Sequence, residues 1–238
     1  MDDRSATWRS AAAQVLVDDL GAPALDRDTA HHLGRVLRLR AGDEVCDTDG
    51  SGGWRRCSFD GAESLDPTAE VHRIDAPAYP VTVGFALVKA AKPELVVQKL
   101  TELGVDRIVV FAAARSVVRW DRDRSAKQFD RLARVAREAC AQSRRLWLPE
   151  IAPGRLDELV AGGAVAADAG GRAMRATDRV VLVGPEGGWA TDELSGVGDE
   201  PVERVALGEH VLRAETAAIT AGVLLTTLRA GLVADSRA

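Results

Sequence analysis

Two patterns of apolar and polar positions divide the chain. Up to about residue 75, short apolar runs alternate with turn residues: a small apolar strand is predicted at 15–17, and GDEVCDTDGSGGWRRCSF (42–59) sets Asp49-Gly50 and Gly52-Gly53 between two alternating runs, as a β-hairpin requires. Ahead of the hairpin, TAHHLGRVLRLR (29–40) predicts a helix with Leu33, Val36 and Leu37 on one face. From Val81 the pattern changes. The nearly continuous apolar run 81–88 reads as a buried strand. PELVVQKLTEL is bracketed by Pro93 and Gly104, proline first and glycine last, with Val96, Leu100 and Leu103 as its buried stripe. Residues 107–111 predict the next strand and 125–142 the next helix; 164–167, 180–183 and 205–207 complete a set of about five short strands. This alternation implies an α/β domain whose mostly parallel sheet is covered on both faces. APAYP (76–80), with two prolines, is the predicted linker, placing the domains at 1–75 and 76–238.

Two glycine-bearing loops hold the candidate chemistry. VGPEGGW begins at Val183, where a predicted strand ends, and VALGEHVLRAETAAITA runs on from the strand at Val205; each is expected to lead into a helix. Loops at the carboxyl ends of strands are where open α/β sheets place ligands. GPEGG is neither a dinucleotide fingerprint nor a triphosphate loop, since no Lys-Ser/Thr pair follows. Val183, Gly184, Pro185, Glu186, Gly187 and Gly188 instead offer backbone groups and one carboxylate, a wall suited to directional hydrogen bonds; the plain reading is a tight turn. In the second loop Leu207, Gly208, Val211 and Leu212 precede Arg213, Glu215 and Thr216, which open a helix. An acid and a hydroxyl suit a helix N-terminus, whereas a cation there is unfavourable without a partner, which singles out Arg213. Ala217, Ala218 and Ala221 suit close helix packing, including packing on a second subunit.

Composition narrows the class. The 238 residues are 46% hydrophobic and 28% charged, ordinary for a globular protein. Three cysteines without a CxxC pair suggest reduced thiols and a cytoplasmic protein; the acidic, polar start is unlike a signal peptide, and no apolar run is of membrane-spanning length. His31-His32 has no companion ligands at metal spacing, so no metal is expected. The net charge of -5 hides an uneven distribution: residues 115–145 carry ten basic and four acidic residues, whereas residues 1–77 carry fifteen acids against nine arginines. The basic stretch is either a solvated helix face or a surface that steers a polyanion.

LVKAAKPELVVQKLTELGVDRIVVFAAARSVV, REACAQSRRLWLPEI, VGPEGGWATDEL and LGEHVLRAETA together resemble the RsmE family of bacterial 16S ribosomal RNA uridine-N3 methyltransferases, of the SPOUT superfamily, across nearly the whole chain. The resemblance implies a C-terminal SPOUT-type domain with a trefoil knot and an N-terminal PUA-like RNA-binding β-barrel. It implies S-adenosyl-L-methionine as methyl donor, 16S rRNA of the 30S subunit as partner, and a homodimer. By position, residues 183–188 with Leu207, Gly208, Val211, Leu212, Arg213 and Thr216 would hold the donor, and Arg213 and Glu215 would lie nearest the reacting methyl. Arg35, Arg38, Lys89, Lys92, Arg115, Arg137, Gln142 and Arg144 would shape the RNA side, with Arg40, Arg55 and Arg56 adding to a basic patch. A SPOUT enzyme acting on another RNA nucleotide and a non-catalytic RNA-binding assembly factor are the alternatives. Glu215 and Glu186 are both candidates to accept the uridine proton.

Overall fold

The structure, a computed structural model, describes residues 8–87, 93–116, 122–190, 192–194 and 201–234, without the side chains of 122–124. The chain forms two compact units, residues 1–77 with 137–148 and residues 78–136 with 149–238. The first therefore recruits a segment from far beyond the predicted linker, which no local pattern signals.

The first unit contains strands β1 (Ala13–Leu16), β2 (Glu44–Thr48), β3 (Gly53–Phe59), β4 (Leu65–Pro67) and β5 (His72–Arg73), and the short helix α1 (Arg27–His31). Strands β1 and β2 are parallel; β2–β3, β3–β4 and β3–β5 are antiparallel. The β2–β3 hairpin is the one predicted. Asp49 Oδ1 closes its turn by accepting from Ser51 N at 2.8 Å and Gly53 N at 2.9 Å. Inward residues of alternating strands, Val15, Val45, Cys57 and Phe59, join Leu33 in one core.

The helix expected over 29–40 is different. Only Arg27–His31 is α-helical, and His32–Val36 form a π-turn in which Leu37 N bonds to His32 O at 2.9 Å. With i→i+5 bonding, residues three and four past Leu33 no longer return to its face. Leu33 is accordingly 1% exposed, but Val36 and Leu37 are 59% and 44% exposed.

The second unit contains β6 (Thr82–Ala86), α2 (Pro93–Leu103), β7 (Arg107–Phe111), most of α3 (Arg122–Gln142), β8 (Glu150–Gly154), α4 (Leu156–Ala161), β9 (Val165–Arg172), β10 (Val180–Val183), β11 (Arg204–Val205) and α5 (Ala214–Arg229). Its sheet is parallel throughout, in the order β11-β9-β10-β6-β7-β8. The sixth strand, β8, escapes the apolar pattern because it contains Pro153, which the sheet tolerates at an edge. Strand β9 runs five residues past its apolar start and pairs with β11 through a register shift at Arg204/Val205. Gly171 permits that approach: a Cβ there would lie 2.5 Å from the backbone of Val205.

Helix α5 packs on α2, β6 and β10. Its small residues serve the chain's own interior: Ala218 and Ala221 are fully buried, and a Cβ on Gly222 would lie 2.5 Å from Leu100 Cδ2. The stripe expected to suit a second subunit is thus already occupied. Arg229 anchors the far end of α5 through an ion pair with Asp106, with further bonds to Tyr79 O at 3.1 Å and Gly104 O at 2.8 Å.

An ion network joins β9 to its neighbours. Arg172 grips Asp178 through two bonds of 2.8 and 2.9 Å and also pairs with Glu203. Burial alone would raise the Asp178 carboxyl, but hydrogen bonds from Arg172 and Arg175 N outweigh it and hold the group below its ordinary value. The stabilisation is therefore complete above about pH 4 and is lost as pH falls through the depressed folded value. Asp178→Asn should lower the melting temperature at pH 7 and have far less effect near pH 2, checked by melting curves across that range.

Candidate active site

The first glycine loop leaves the sheet where β10 ends at buried Val183. Gly188 N donates to Pro185 O at 2.8 Å, closing a tight turn, and Gly188 takes φ 71°, which glycine tolerates best. Gly184 lies against the indole of Trp189, where a Cβ would come within 2.8 Å of Cε2. The indole is itself fixed, stacked on Phe111 with centroids 6.1 Å apart and bonded through Nε1 to Ala167 O at 3.4 Å. Pro185 is buried while Glu186, Gly187 and Gly188 are exposed, so the loop presents bare backbone to solvent. Among the described residues no helix follows it directly: residues 192–194 form a turn in which Glu193 folds back onto Ala190, its N–H to the carbonyl at 3.2 Å and its Oε2 to the Ala190 N–H at 2.7 Å.

The second loop leaves β11, which ends at Val205 rather than at the expected Leu207. Leu207 is half-buried; Gly208 is exposed, and a Cβ there would meet nothing within 4 Å. Val211 is 89% exposed and Leu212 half-buried. Arg213 then caps α5 in extended conformation, its side chain exposed and making no cap bond, while Ala217 N donates to its carbonyl at 2.8 Å. Glu215 and Thr216 fall in the first helical turn, half-buried and exposed respectively, as predicted.

The orientation of α5 brings the two loops to one end of the sheet. Arg229, its last residue, is tied to Asp106, which precedes β7 and accepts from Val81 N, immediately before β6. The 16 residues of α5 span about 24 Å, longer than the roughly 16 Å of a five-residue strand. Its opposite end, with Arg213, therefore reaches the carboxyl ends of the strands, where residues 184–190 begin.

Arg115 belongs to this same rim. Its Nη1 donates to Gly187 O at 2.9 Å, so its first partner is the glycine loop. Glu193 bridges the same two loops, accepting from Ala190 N and from Ala114 N. Neither Glu193 nor Trp189 was among the residues assigned a role from the sequence. Their shared signal is their place just after GPEGG, the indole covering its first glycine and the carboxylate three residues beyond Ala190. A cavity of about 490 Å³ opens beside the rim at the ends of β6, β7 and β8, lined by Leu87, residues 110–114, Ser125, Phe129, Pro153 and Gly154. It is not lined by either glycine loop.

The expected RNA-side residues divide. Arg35, Arg38 and Arg40 are exposed. Arg55 is buried against Asp47, Nε to Oδ2 at 3.1 Å, and Arg56 bonds Glu44 at 2.9 Å and Ser10 Oγ at 3.1 Å, so these two do not join an open patch. Arg144, at φ 60°, donates to the carbonyls of Ala11 at 2.9 Å and Ala12 at 3.1 Å, and its own carbonyl accepts from Trp8 Nε1 at 3.0 Å. Its guanidinium thus holds the first unit together. Arg137 reaches Leu16 O at 3.4 Å and Asp18 at 3.6 Å; Gln142 is exposed. Lys89 and Lys92 lie outside the described residues. Burial pushes the thiols of Cys46 and Cys57 up to about 12 and that of Cys140 to about 11, which keeps them protonated at neutral pH and poor nucleophiles. Among the described residues no three His, Cys, Asp or Glu side chains form a metal-binding group, and no helix is long and apolar enough to cross a membrane.

Comparison with known proteins defines the class first. A family model described as an RNA methyltransferase domain matches residues 75–226, and one described as an RNA methyltransferase PUA domain matches residues 25–61. The protein named ribosomal RNA small subunit methyltransferase E of Mycobacterium tuberculosis is 36% identical over 225 residues, covering 85% of this chain and 86% of its own. Its namesake from Synechocystis is 32% identical over 209 residues, covering 79% and 67%. A solved structure from Legionella pneumophila, described as a methyltransferase with bound cofactor SAM, is 26% identical with a TM-score of 0.77, covering 92% of this chain and 97% of that one. The chain belongs to the ribosomal RNA small subunit methyltransferase E family.

Proposed function

We propose that this protein transfers the methyl group of S-adenosyl-L-methionine to N3 of a uridine in 16S rRNA of the small ribosomal subunit. The relatives' names and the cofactor of the Legionella neighbour support the reaction class. The observation that carries the site is Arg213, an exposed guanidinium capping α5 at the same end of the sheet as residues 184–190. The residues present fit the donor: the exposed backbone at Glu186, Gly187 and Gly188, beyond the Gly188 N and Gly187 O already bonded within the rim, and open Gly208 suit the edges of an uncharged adenosine, which needs directional hydrogen bonds rather than phosphate neutralisation. Val183, Pro185, Leu207, Val211, Leu212 and Thr216 complete the proposed donor site.

When bound, the donor supplies an electrophilic methyl group. The chain's contribution is to hold a nucleobase nitrogen in line with it, and positioning of this kind supplies much of such an acceleration. Uridine N3 carries a proton at neutral pH that must leave. A guanidinium is a poor base, so Arg213 acts by donating hydrogen bonds to the O2 or O4 on which negative charge develops. Glu215, half-buried in the first turn of α5, or exposed Glu186 accepts the proton or orients Arg213. N3 lies on the Watson–Crick edge, so the target base is unpaired or flipped out.

RNA binding is assigned to the exposed cations Lys127 and Arg134 of α3, with Arg35, Arg38 and Arg40 in the PUA-like unit, whereas Arg131 is paired with Glu94 at 3.2 Å. Four phosphate contacts would give a slope of about −3 in log affinity against log salt for single-stranded RNA. Lys127→Gln with Arg134→Gln should reduce that slope by about one to two, measured by filter binding; an unchanged slope would remove α3 from the interface. A trefoil knot is proposed from the resemblance to SPOUT enzymes. Exposed Val223, Leu232 and Val233 support a homodimer, and the function itself supports a cytoplasmic location.

Incubating purified 30S subunits and naked 16S rRNA with methyl-labelled donor, followed by mass mapping of the modified base, tests the reading. Label at uridine N3 is expected. Label on another nucleotide would assign a different RNA target, and rRNA binding without label would make the protein an assembly factor.

A further inference from the structure

The Glu193 carboxylate makes two bonds with different meanings. Its bond from Ala190 N, with Glu193 N returned to Ala190 O, is an ordinary reciprocal cap on a short turn and needs only one oxygen. The second oxygen accepts from Ala114 N, which lies in the loop after β7. That loop is itself a tight turn, with Ser116 N donating to Ala113 O and Ser116 Oγ accepting from Ala113 N, both at 3.0 Å. Arg115, in the middle of the same turn, sends Nη1 to Gly187 O at 2.9 Å. Since β6 lies between β7 and β10, both cross-links pass over the carboxyl end of β6.

We infer that Glu193 is a positioning residue for methyl transfer: with Arg115 it clamps the loop after β7 to the glycine loop, setting the backbone of Gly187 and Gly188 for the donor. Among the described residues neither loop has regular secondary structure, so these cross-links, with Trp189 stacked on Phe111, fix their relative position. The two clamps run in opposite senses, a carboxylate receiving an N–H from the first loop and a guanidinium delivering N–H to a carbonyl of the second. Losing either removes one of the ties between the two loops, since the exposed Ala114 N or Gly187 O would turn to water instead. The inference rests on the donor site proposed above.

The test measures donor affinity by calorimetry and steady-state kinetics in the full chain, at a temperature well below unfolding. Glu193→Gln keeps size but turns one acceptor into an N–H facing an N–H. It should weaken S-adenosyl-L-methionine binding about tenfold or more and raise its KM, with kcat changed less than KM. Glu193→Asp, too short to span both partners, should not rescue it. Ala114→Pro removes the donor while leaving Glu193 intact, at a turn position that accepts proline, and should reproduce the loss. A double-mutant cycle with Arg115→Gln should be non-additive, because both residues fix the same pair of loops. Variants that melt lower yet bind the donor within twofold of the parent would make Glu193 a helix-type cap alone and overturn the inference. If the parent protein itself binds no donor, the donor-site assignment fails instead.

Discussion

Replacing Arg213 with alanine is expected to lower the turnover of methyl transfer by about 10²–10³-fold, the usual loss when one hydrogen-bond donor to developing negative charge is removed. Donor affinity should change little, because the proposed donor contacts come mainly from backbone. Equal losses in turnover and affinity would move Arg213 to the donor site. A second consequence separates function from folding. Arginine is a poor helix cap: it offers no oxygen to the N–H groups of the first turn, and its charge opposes the helix dipole. Arg213→Ser should therefore stabilise the protein by about 0.5–2 kcal/mol while abolishing most activity. A less stable serine variant would mean that Arg213 has a folding role its exposed side chain does not reveal.

Gly171→Ala is expected to destabilise the protein by about 2–3 kcal/mol, a fall of about 5–10 °C in melting temperature for a domain of this size. The new methyl would lie 2.5 Å from backbone atoms of Val205 and 2.6 Å from Arg204 C, atoms that cannot rotate aside. Strand β11 is two residues long and held by pairing with β9, so it would be displaced. The loop it launches, residues 206–213, would move with it, and donor affinity should fall as well. Gly170→Ala is the control: its Cβ would meet only Asp168 Oδ1, at 3.7 Å, and both readouts should stay near those of the parent. Equal effects from the two substitutions, read by thermal melting and calorimetry, would show that loss of glycine, not the contact with β11, is responsible.

Much of the fold is legible in local pattern. Pro93 and Gly104 delimit α2 within a residue, and the hairpin between Glu44 and Phe59 follows from its turn residues and alternation. Most of the misses share a cause, a partner distant in sequence; the first is local, an i→i+5 bond that apolar periodicity does not register. The π-turn at His32–Val36 removed Val36 and Leu37 from the predicted face. Pro153 concealed β8 because only sheet order reveals that it is an edge strand. Arg55 and Arg144 read as free cations until Asp47 and the carbonyls of Ala11 and Ala12 meet them.

The sequence by itself determined the alternation of strand and helix, the two glycine loops, and the cation placed against the dipole of α5, because periodicity, turn chemistry and capping act over a few residues. Only the tertiary structure decided that α5 runs from the carboxyl to the amino ends of the strands, bringing Arg213 to the glycine-loop end. It alone decided that Glu193 and Arg115 bind two loops across β6. Such contacts join segments separated by many residues, and the hydrogen bonds that select them leave no periodic trace in the chain.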